Sequence, residues 1–337
     1  MESRKSNPTM KDVAREAGVS IGTVSNVLNG IPVGADYKNK VEDSINKLGY
    51  KLNSYAQGLR AGKTRTIAFL IPNTVHPYYG ELTQYISQSL AKRNYRMLLY
   101  TTNLDSGMER KYLEIVQQNK VDGIITLSYN KFLNVEGVSR IITIDCFLNS
   151  TIPCVTSDNL QGGRTAAEQL AKLGCSRLCF IASYPAHANV TRKRGIGFCE
   201  FCVENGVEFD TFEITDDKPN DLIKDFLESH IRDGDFDYDG IFCVSDYIAG
   251  YVIHVLRRKG IRVPEDVQII GYDGLKDYST GETVCSSIAQ PIQSIAEKCV
   301  DMVLSEDFSQ LPSIVWVPIK YVSGGTTKEA VVFEPSP

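Results

Sequence analysis

The chain has 337 residues, 42% apolar and 23% charged, with a net charge of −5, which leaves room for a small head plus two core-forming lobes and is too apolar for a disordered chain. No run of about 18 apolar residues occurs, and the start, Met1-Glu-Ser-Arg-Lys-Ser-Asn-Pro8, lacks a signal peptide's apolar stretch, so neither a membrane span nor export is expected and the cytoplasm is the expected compartment. The charge is uneven: through residue 65 there are eleven Lys plus Arg against six Asp plus Glu, a net +5, and the remainder carries −10.

In chain order, Thr9 and Asp12 have the spacing of a helix N-cap and its partner, and Val13, Ala14 and Ala17 then form one apolar face, predicting a helix over about 10–17. Gly18 stands where a sharp turn needs positive φ. Ser20 is placed to cap a second helix, about 21–28, whose inward face is Val24, Val27 and Leu28. The other face carries Ile21, Gly22, Thr23, Ser25, Asn26 and Asn29, small or amide-bearing groups suited to base edges and phosphates of a major groove. Two capped helices and a turn glycine make a helix-turn-helix, and the basic balance around it is the electrostatic footprint of DNA binding. A third helix with Val41, Ile45 and Leu48 inward is expected to be capped by Asp36 and to stop at Gly49.

The run from Thr9 to Arg60 closely resembles the lactose and galactose repressor (LacI/GalR) family of bacterial transcriptional regulators, and the remaining chain resembles that family's effector-binding core. The resemblance implies phosphate contacts from Thr9, Ser20, Thr23 and Asn29, with Lys11 on the same DNA-facing side, and base contacts from Ile21, Gly22, Ser25 and Asn26. Asn53-x-x-Ala56-Gln57-x-Leu59 resembles the family's hinge helix, which implies a minor-groove wedge at Leu59. Leu52 stands where a proline is usual before the hinge asparagine, and Gly58 and Gly22 each weaken helicity by about 1 kcal/mol relative to alanine. Ile21 and Gly22 offer no hydrogen bond, so direct readout leans on Asn26.

Beyond residue 65, strand-like runs at 66–71, 96–102, 123–127 and 141–145 alternate with helical patterns near 79–93 and 105–119, the form of a parallel α/β layer. A second set follows: helices near 160–173 and 191–206, and strands near 177–182, 211–214, 240–244 and 267–271. The expected organisation is a headpiece over 1–51, a hinge and linker over 52–65, and a core over 66–337. By resemblance the core is a two-lobed α/β fold of parallel sheets like a type I periplasmic binding protein, with lobe 1 at about 66–160 and 291–320, lobe 2 at about 161–290 and 321–333, and crossings near 160, 290 and 320.

A cleft where the carboxyl ends of parallel strands converge is a natural small-molecule site. Tyr78 and Tyr79, after the first strand, are placed to stack on a ring. Arg194 in Arg-Gly-Ile-Gly-Phe matches a family arginine and suits hydroxyls, a carboxylate or a phosphate; Asp246 and Asp273 follow strands and suit hydroxyls. For Asp246, capping the next helix is an equal alternative. His76 and His187 are loop histidines, either exposed or lining the cleft. The glycines of Asp158-Asn-Leu-Gln-Gly-Gly163 read as helix packing in preference to phosphate binding.

Nine cysteines include Cys199-x-x-Cys202 and Cys175-x-x-x-Cys179, but their apolar surroundings read as buried free thiols, with no disulfide and no metal. Gly58-Leu-Arg-Ala-Gly62-Lys63-Thr64 fails as a phosphate-binding loop because three residues, not four, separate the glycines; Gly195-x-Gly197 lacks the third glycine of a dinucleotide site. No cofactor or enzymatic activity is expected. The expected partners are a pseudo-palindromic duplex DNA, a small effector (a sugar or sugar derivative by family frequency) and a second copy of the chain, since Thr326–Pro337 has no leucine heptad for a higher assembly. A phosphorylated carrier protein as the controlling signal and a binding protein without DNA function are the alternatives.

Overall fold

The computed structural model describes residues 8–51, 63–127, 140–184, 190–215, 219–277 and 279–328. The chain divides into two compact units, Met1–Thr64 and Arg65–Pro337.

The first unit holds α1 (Met10–Ala17), α2 (Ile21–Leu28) and α3 (Ala35–Leu48). A full capping box opens α1: the Thr9 side chain accepts from the Asp12 amide, and the Asp12 carboxylate accepts from the Thr9 amide at 2.9 Å. Gly18 ends the helix at φ +63°, and Ser20 accepts from the Thr23 amide at 3.0 Å to start α2. Val13, Ala14 and Ala17 meet Val24 and Val41 in one small core, flanked by Leu28, Ile45 and Leu48. One expectation is corrected. Asp36 does not cap α3, because the helix starts two residues earlier than such a cap would place it, with Gly34 at the N-cap; Asp36 lies inside the first turn, where its negative charge faces the positive helix end.

The second unit contains, in chain order, β1 (Thr66–Ile71), α4 (Pro77–Lys92), β2 (Arg96–Thr101), α5 (Ser106–Gln118), β3 (Gly123–Thr126), β4 (Ile141–Ile144), β5 (Cys154–Ser157), α6 (Asn159–Lys172), β6 (Arg177–Ser183), α7 (Lys193–Asn205), β7 (Glu208–Ile214), α8 (Pro219–Ser229), a short β8–β9 pair (Ile231–Arg232, Asp235–Phe236), β10 (Gly240–Cys243), α9 (Asp246–Arg258), β11 (Gln268–Asp273), β12 (Ser286–Ala289), α10 (Ile292–Leu304), β13 (Ile314–Val317) and β14 (Lys320–Val322). Lobe 1 is built on a sheet ordered β13-β5-β4-β3-β1-β2, parallel throughout; lobe 2 on β14-β12-β11-β10-β6-β7, parallel except for β14 on β12. Helices cover both faces, so central strands such as β1 and β11 are buried along their whole length and read as continuous apolar runs. The chain passes between lobes after β5, after β12 and after β13. Strand β7 starts three residues before the stretch that its pattern suggested, and α8, β12, β13 and β14 had no clear periodic signal.

Two glycines let α6 and α7 approach closely: a Cβ at Gly163 would lie 1.8 Å from the Arg194 carbonyl oxygen, and one at Gly197 would lie 2.0 Å from that of Leu160. The Gly162-Gly163 pair therefore serves packing, and it holds Arg194 at the start of α7 against α6. All nine cysteines are free, and all but Cys199 are buried. No helix among the described residues is long and apolar enough to cross a membrane, and no group of three or more His, Cys, Asp or Glu among them could hold a metal ion.

Candidate functional site

Two surfaces carry the candidate residues. In the first unit, the inward side of α2 is spent on the core, so the other side is presented to solvent. Ile21 is 43% exposed, Gly22 and Asn29 are exposed, and Thr23, Ser25 and Asn26 are half-buried beside them. Thr9 and Lys11 are exposed on α1. The polar groups are held by local bonds: Ser20 and Thr23 hydroxyls lie 2.9 Å apart, and the Asn29 side-chain amide donates to the Ser25 hydroxyl at 3.3 Å. The α2 side of this surface therefore offers hydroxyls and amides with no carboxylate among them, the chemistry that duplex phosphates and base edges accept. Asn53, Ala56, Gln57 and Leu59 lie outside the described residues, as does His187.

In the second unit, polar side chains gather where the strands of both lobes end. Tyr78, in the first turn of α4, donates to an Asp145 carboxylate oxygen at 3.2 Å, and Thr156 donates to the other at 2.7 Å. Asn159, opening α6, donates to the Thr156 hydroxyl at 3.0 Å and accepts from Arg194 Nε at 2.7 Å. Arg194 Nη1 donates to the Val244 carbonyl at 2.6 Å and lies 3.9 Å from Asp273 Oδ1, which also accepts from Gln290 Nε2 at 2.7 Å. The guanidinium stacks on Tyr272, its carbon 3.6 Å from the ring centroid, and the Tyr272 hydroxyl pairs with Ser157 at 3.0 Å. A continuous run of buried polar contacts thus links lobe 1 to lobe 2. The two aspartates at its ends sit in rarely occupied backbone conformations, Asp145 at φ +51° and Asp273 at φ +118°, strain of the kind that collects at functional sites.

Burial governs the electrostatics. It drives Asp273 well above the ordinary carboxyl range, with the neighbouring Arg194 charge pulling the other way. Burial acts to lower Arg194, yet Tyr272, Asp273 and Asp145 hold its pKa above the ordinary value. Desolvation, then the Arg194 charge, lowers His76 to about 4, so its imidazole is neutral near pH 7. Burial raises the phenols of Tyr78 and Tyr79.

Of the expected cleft residues, Tyr78, Arg194 and Asp273 join the network. Tyr79 belongs to an aromatic cluster beside it, 4.9 Å between ring centroids from His76, and His76 lies 5.3 Å from Tyr247 of the other lobe. Asp246 does not cap α9; Ser245 does, accepting from the Ile248 amide at 3.3 Å. The Asp246 carboxylate instead accepts from the Leu275 amide at 2.7 Å, Ser287 at 2.6 Å and the Cys285 thiol at 3.3 Å, tethering the loop behind Asp273, and burial lifts its pKa to about 6. Asp145, Asn159, Tyr272, Gln290 and Tyr247 were not singled out from the sequence. Their spacing carries no motif; the only local hint is that most of them sit at or just past a strand end.

Residues 64–322 match the family model of periplasmic binding proteins and the sugar binding domain of the LacI family, and residues 9–53 match that of bacterial regulatory proteins of the lacI family. The sucrose operon repressor of Streptococcus mutans is 33% identical over 319 residues, spanning 94% of this chain and 98% of the repressor. A lac repressor dimer bound to operator and the anti-inducer ONPF shares the fold at TM-score 0.80, with 20% identity, over 96% of this chain and 99% of that one. A periplasmic binding protein/LacI transcriptional regulator from Alkaliphilus metalliredigens, complexed with D-xylulofuranose, matches at TM-score 0.67 and 26% identity, over 79% of this chain and all of that one.

Proposed function

The chain belongs to the LacI family of bacterial regulatory proteins, and we propose that it is a repressor that binds a pseudo-palindromic operator as a homodimer and changes its operator affinity when a carbohydrate enters the core cleft. It is a DNA-binding transcription regulator and not an enzyme. Its place of action is the cytoplasm, where the DNA is.

The observation that carries the switch is the run of buried bonds from Tyr78 and Asp145 of lobe 1 through Asn159 to Arg194 and Asp273 of lobe 2. A ligand that bonds to Arg194 or Asp273 competes with Asn159, Val244 and Gln290, and because Asn159 is itself bonded to Thr156 of lobe 1 the ligand acts on the arrangement of the two lobes, a hinge-type element that two sites can bias. Tyr79, Arg194 and Asp273 contact the ligand, Tyr78 orients Asp145, and Asp246 acts from behind by fixing the loop after Asp273. Operator DNA and ligand then change each other's affinity by the same factor. On the DNA side, two copies present two α2 helices to successive major grooves. Asn26 reads a base, Ile21 meets thymine methyls, and Thr9, Lys11, Ser20, Thr23 and Asn29 hold the backbone. Leu59 is the minor-groove wedge.

The test is selection of bound duplexes from a random library by the full-length protein, its Asn26→Ala variant and its Leu59→Ala variant. The native protein enriches a pseudo-palindrome with an easily kinked central step. Asn26→Ala loses preference at one position per half-site, costing about 1–3 kcal/mol there, and Leu59→Ala weakens selection for the centre. Absence of any enriched palindrome, with and without added sugar pools, overturns the reading.

A further inference from the structure

In sequence, Thr191-Arg192-Lys193-Arg194 at the start of α7 looks like an anion site: three cations in a row at a helix N-terminus. The structure sends the three to different partners. Arg192 lies over the Tyr184 ring, 4.5 Å from its centroid, and 3.7 Å from Glu213. Lys193 lies over the Trp316 ring at 5.5 Å, reaching from lobe 2 to lobe 1. Arg194 is matched by Asp273, stacked on Tyr272 and bonded to Asn159 and Val244. The amides of Lys193 and Arg194 bond back to the carbonyls of Val190 and Thr191.

The other helix starts at these strand ends are no better suited to an anion. Helix α4 begins with Pro77, which has no N–H; α6 is capped by the Asp158 carboxylate; α9 is capped by Ser245 and carries Asp246 in its first turn. His76 is neutral near pH 7, and the Lys276 charge acts on Glu81. Against these stand the carboxyl groups of Asp145, Asp246 and Asp273, all buried.

What the cleft does offer is uncharged hydrogen-bonding capacity. His76 Nδ1, the Tyr184 hydroxyl and Gln290 Oε1 are buried without a hydrogen-bond partner among the described residues, and each follows the carboxyl end of a strand, β1, β6 or β12. Tyr184 and Gln290 are 4% and 5% exposed. Leaving such atoms unmatched is costly, and hydroxyl groups, which donate and accept, satisfy all three. The aromatic faces of Tyr79 and Tyr247, each beside His76, suit the C–H face of a sugar ring.

We propose that the ligand of this cleft is an uncharged, hydroxyl-rich molecule, a free sugar, and that the phosphorylated form of the same sugar is rejected. The proposal rests on the carbohydrate-switch reading above and narrows it. A phosphate would enter among buried carboxyl groups, where the buried cation, Arg194, is already bonded to Asn159 and Val244 and lies beside Asp273, so its desolvation is poorly compensated.

The experiment is calorimetric titration of the full-length protein with matched pairs: sucrose and sucrose 6-phosphate, glucose and glucose 6-phosphate, fructose and fructose 1-phosphate, ribose and ribose 5-phosphate, xylulose and xylulose 5-phosphate. Fluorescence of Trp316, the sole tryptophan, is followed in parallel. The expected result is a free sugar that binds more than about tenfold more tightly than its phosphate, the factor that corresponds to 1.4 kcal/mol. A phosphate that binds within tenfold of its free sugar, or more tightly, overturns the proposal and leaves the carbohydrate switch standing. If no member of any pair binds while the same protein still retards operator DNA, the proposal and the carbohydrate reading fall together.

Discussion

The headpiece and the core hold their candidate contact residues by different means. In the headpiece Thr9 bonds Asp12, Ser20 bonds Thr23 and Asn29 bonds Ser25, partners no more than four residues apart, and the groups remain at the surface. In the core Arg194 bonds Asn159, 35 residues away, and Val244, 50 away, while Tyr78 bonds Asp145 across 67 residues. Local bonds survive wherever the helix forms. Long-range buried bonds exist only if two sheets and their crossings are all in place, so the cleft is sensitive to changes that the DNA-facing surface tolerates.

The largest expected effect comes from Arg194→Met. It leaves Asp273 buried without its cation and removes two further bonds, so the core loses about 3 kcal/mol in urea unfolding, ligand binding is abolished, and the headpiece still selects the same operator. Loss of operator preference in this variant would break the contrast between the two regions.

Gly163→Ala comes next. The new Cβ collides with the Arg194 carbonyl, and spreading α6 from α7 costs about 2 kcal/mol. Ligand affinity falls with it although residue 163 is not one of the proposed contacts, whereas a calorimetric scan that matches the native protein would mean that the helices do not fix Arg194.

On the local side, Thr9→Ala removes a cap and costs about 1 kcal/mol. Hydrogen exchange in 10–17 speeds up, and exchange in the strands of both lobes stays as it was.

A pH dependence also sharpens the account of the cleft. His76 titrates near 4 when folded against an ordinary 6.5, so the unfolded chain binds the extra proton and the core loses stability as pH falls from 6.5 towards 4. Asp246, near 6 when folded against 3.8, acts in the opposite sense, losing stability as pH rises across that interval. His76→Gln therefore becomes relatively more stable than the native protein as pH drops below 6.5, seen as a growing difference in urea midpoints. A constant difference would place the imidazole in solvent.

Much of the protein was legible from the chain alone. The caps at Thr9 and Ser20, the turn at Gly18, the first two helices and the alternation of strands and helices after residue 65 follow from residue types a few positions apart, where the physics is helix capping, positive φ and apolar period. The error of taking Asp36 as a cap came from preferring a carboxylate over Gly34, which caps by its backbone conformation alone. Tyr78, Arg194 and Asp273 were visible because they sit beside strand ends or in a family pattern. Asp145, Asn159, Tyr272 and Gln290 were not, and neither was the tethering role of Asp246. Their roles depend on which strand ends meet, and that is decided by sheet order, by the crossings after β5, β12 and β13, and by the glycine contact between α6 and α7. Likewise Arg192, Lys193 and Arg194 form one basic run along the chain but face three separate partners in space, because successive helix residues point about 100° apart. The sequence by itself determined the elements and the class of protein; tertiary structure alone decided which charges are neutralised in the cleft, since burial and pairing are properties of neighbours that the chain brings together from far apart.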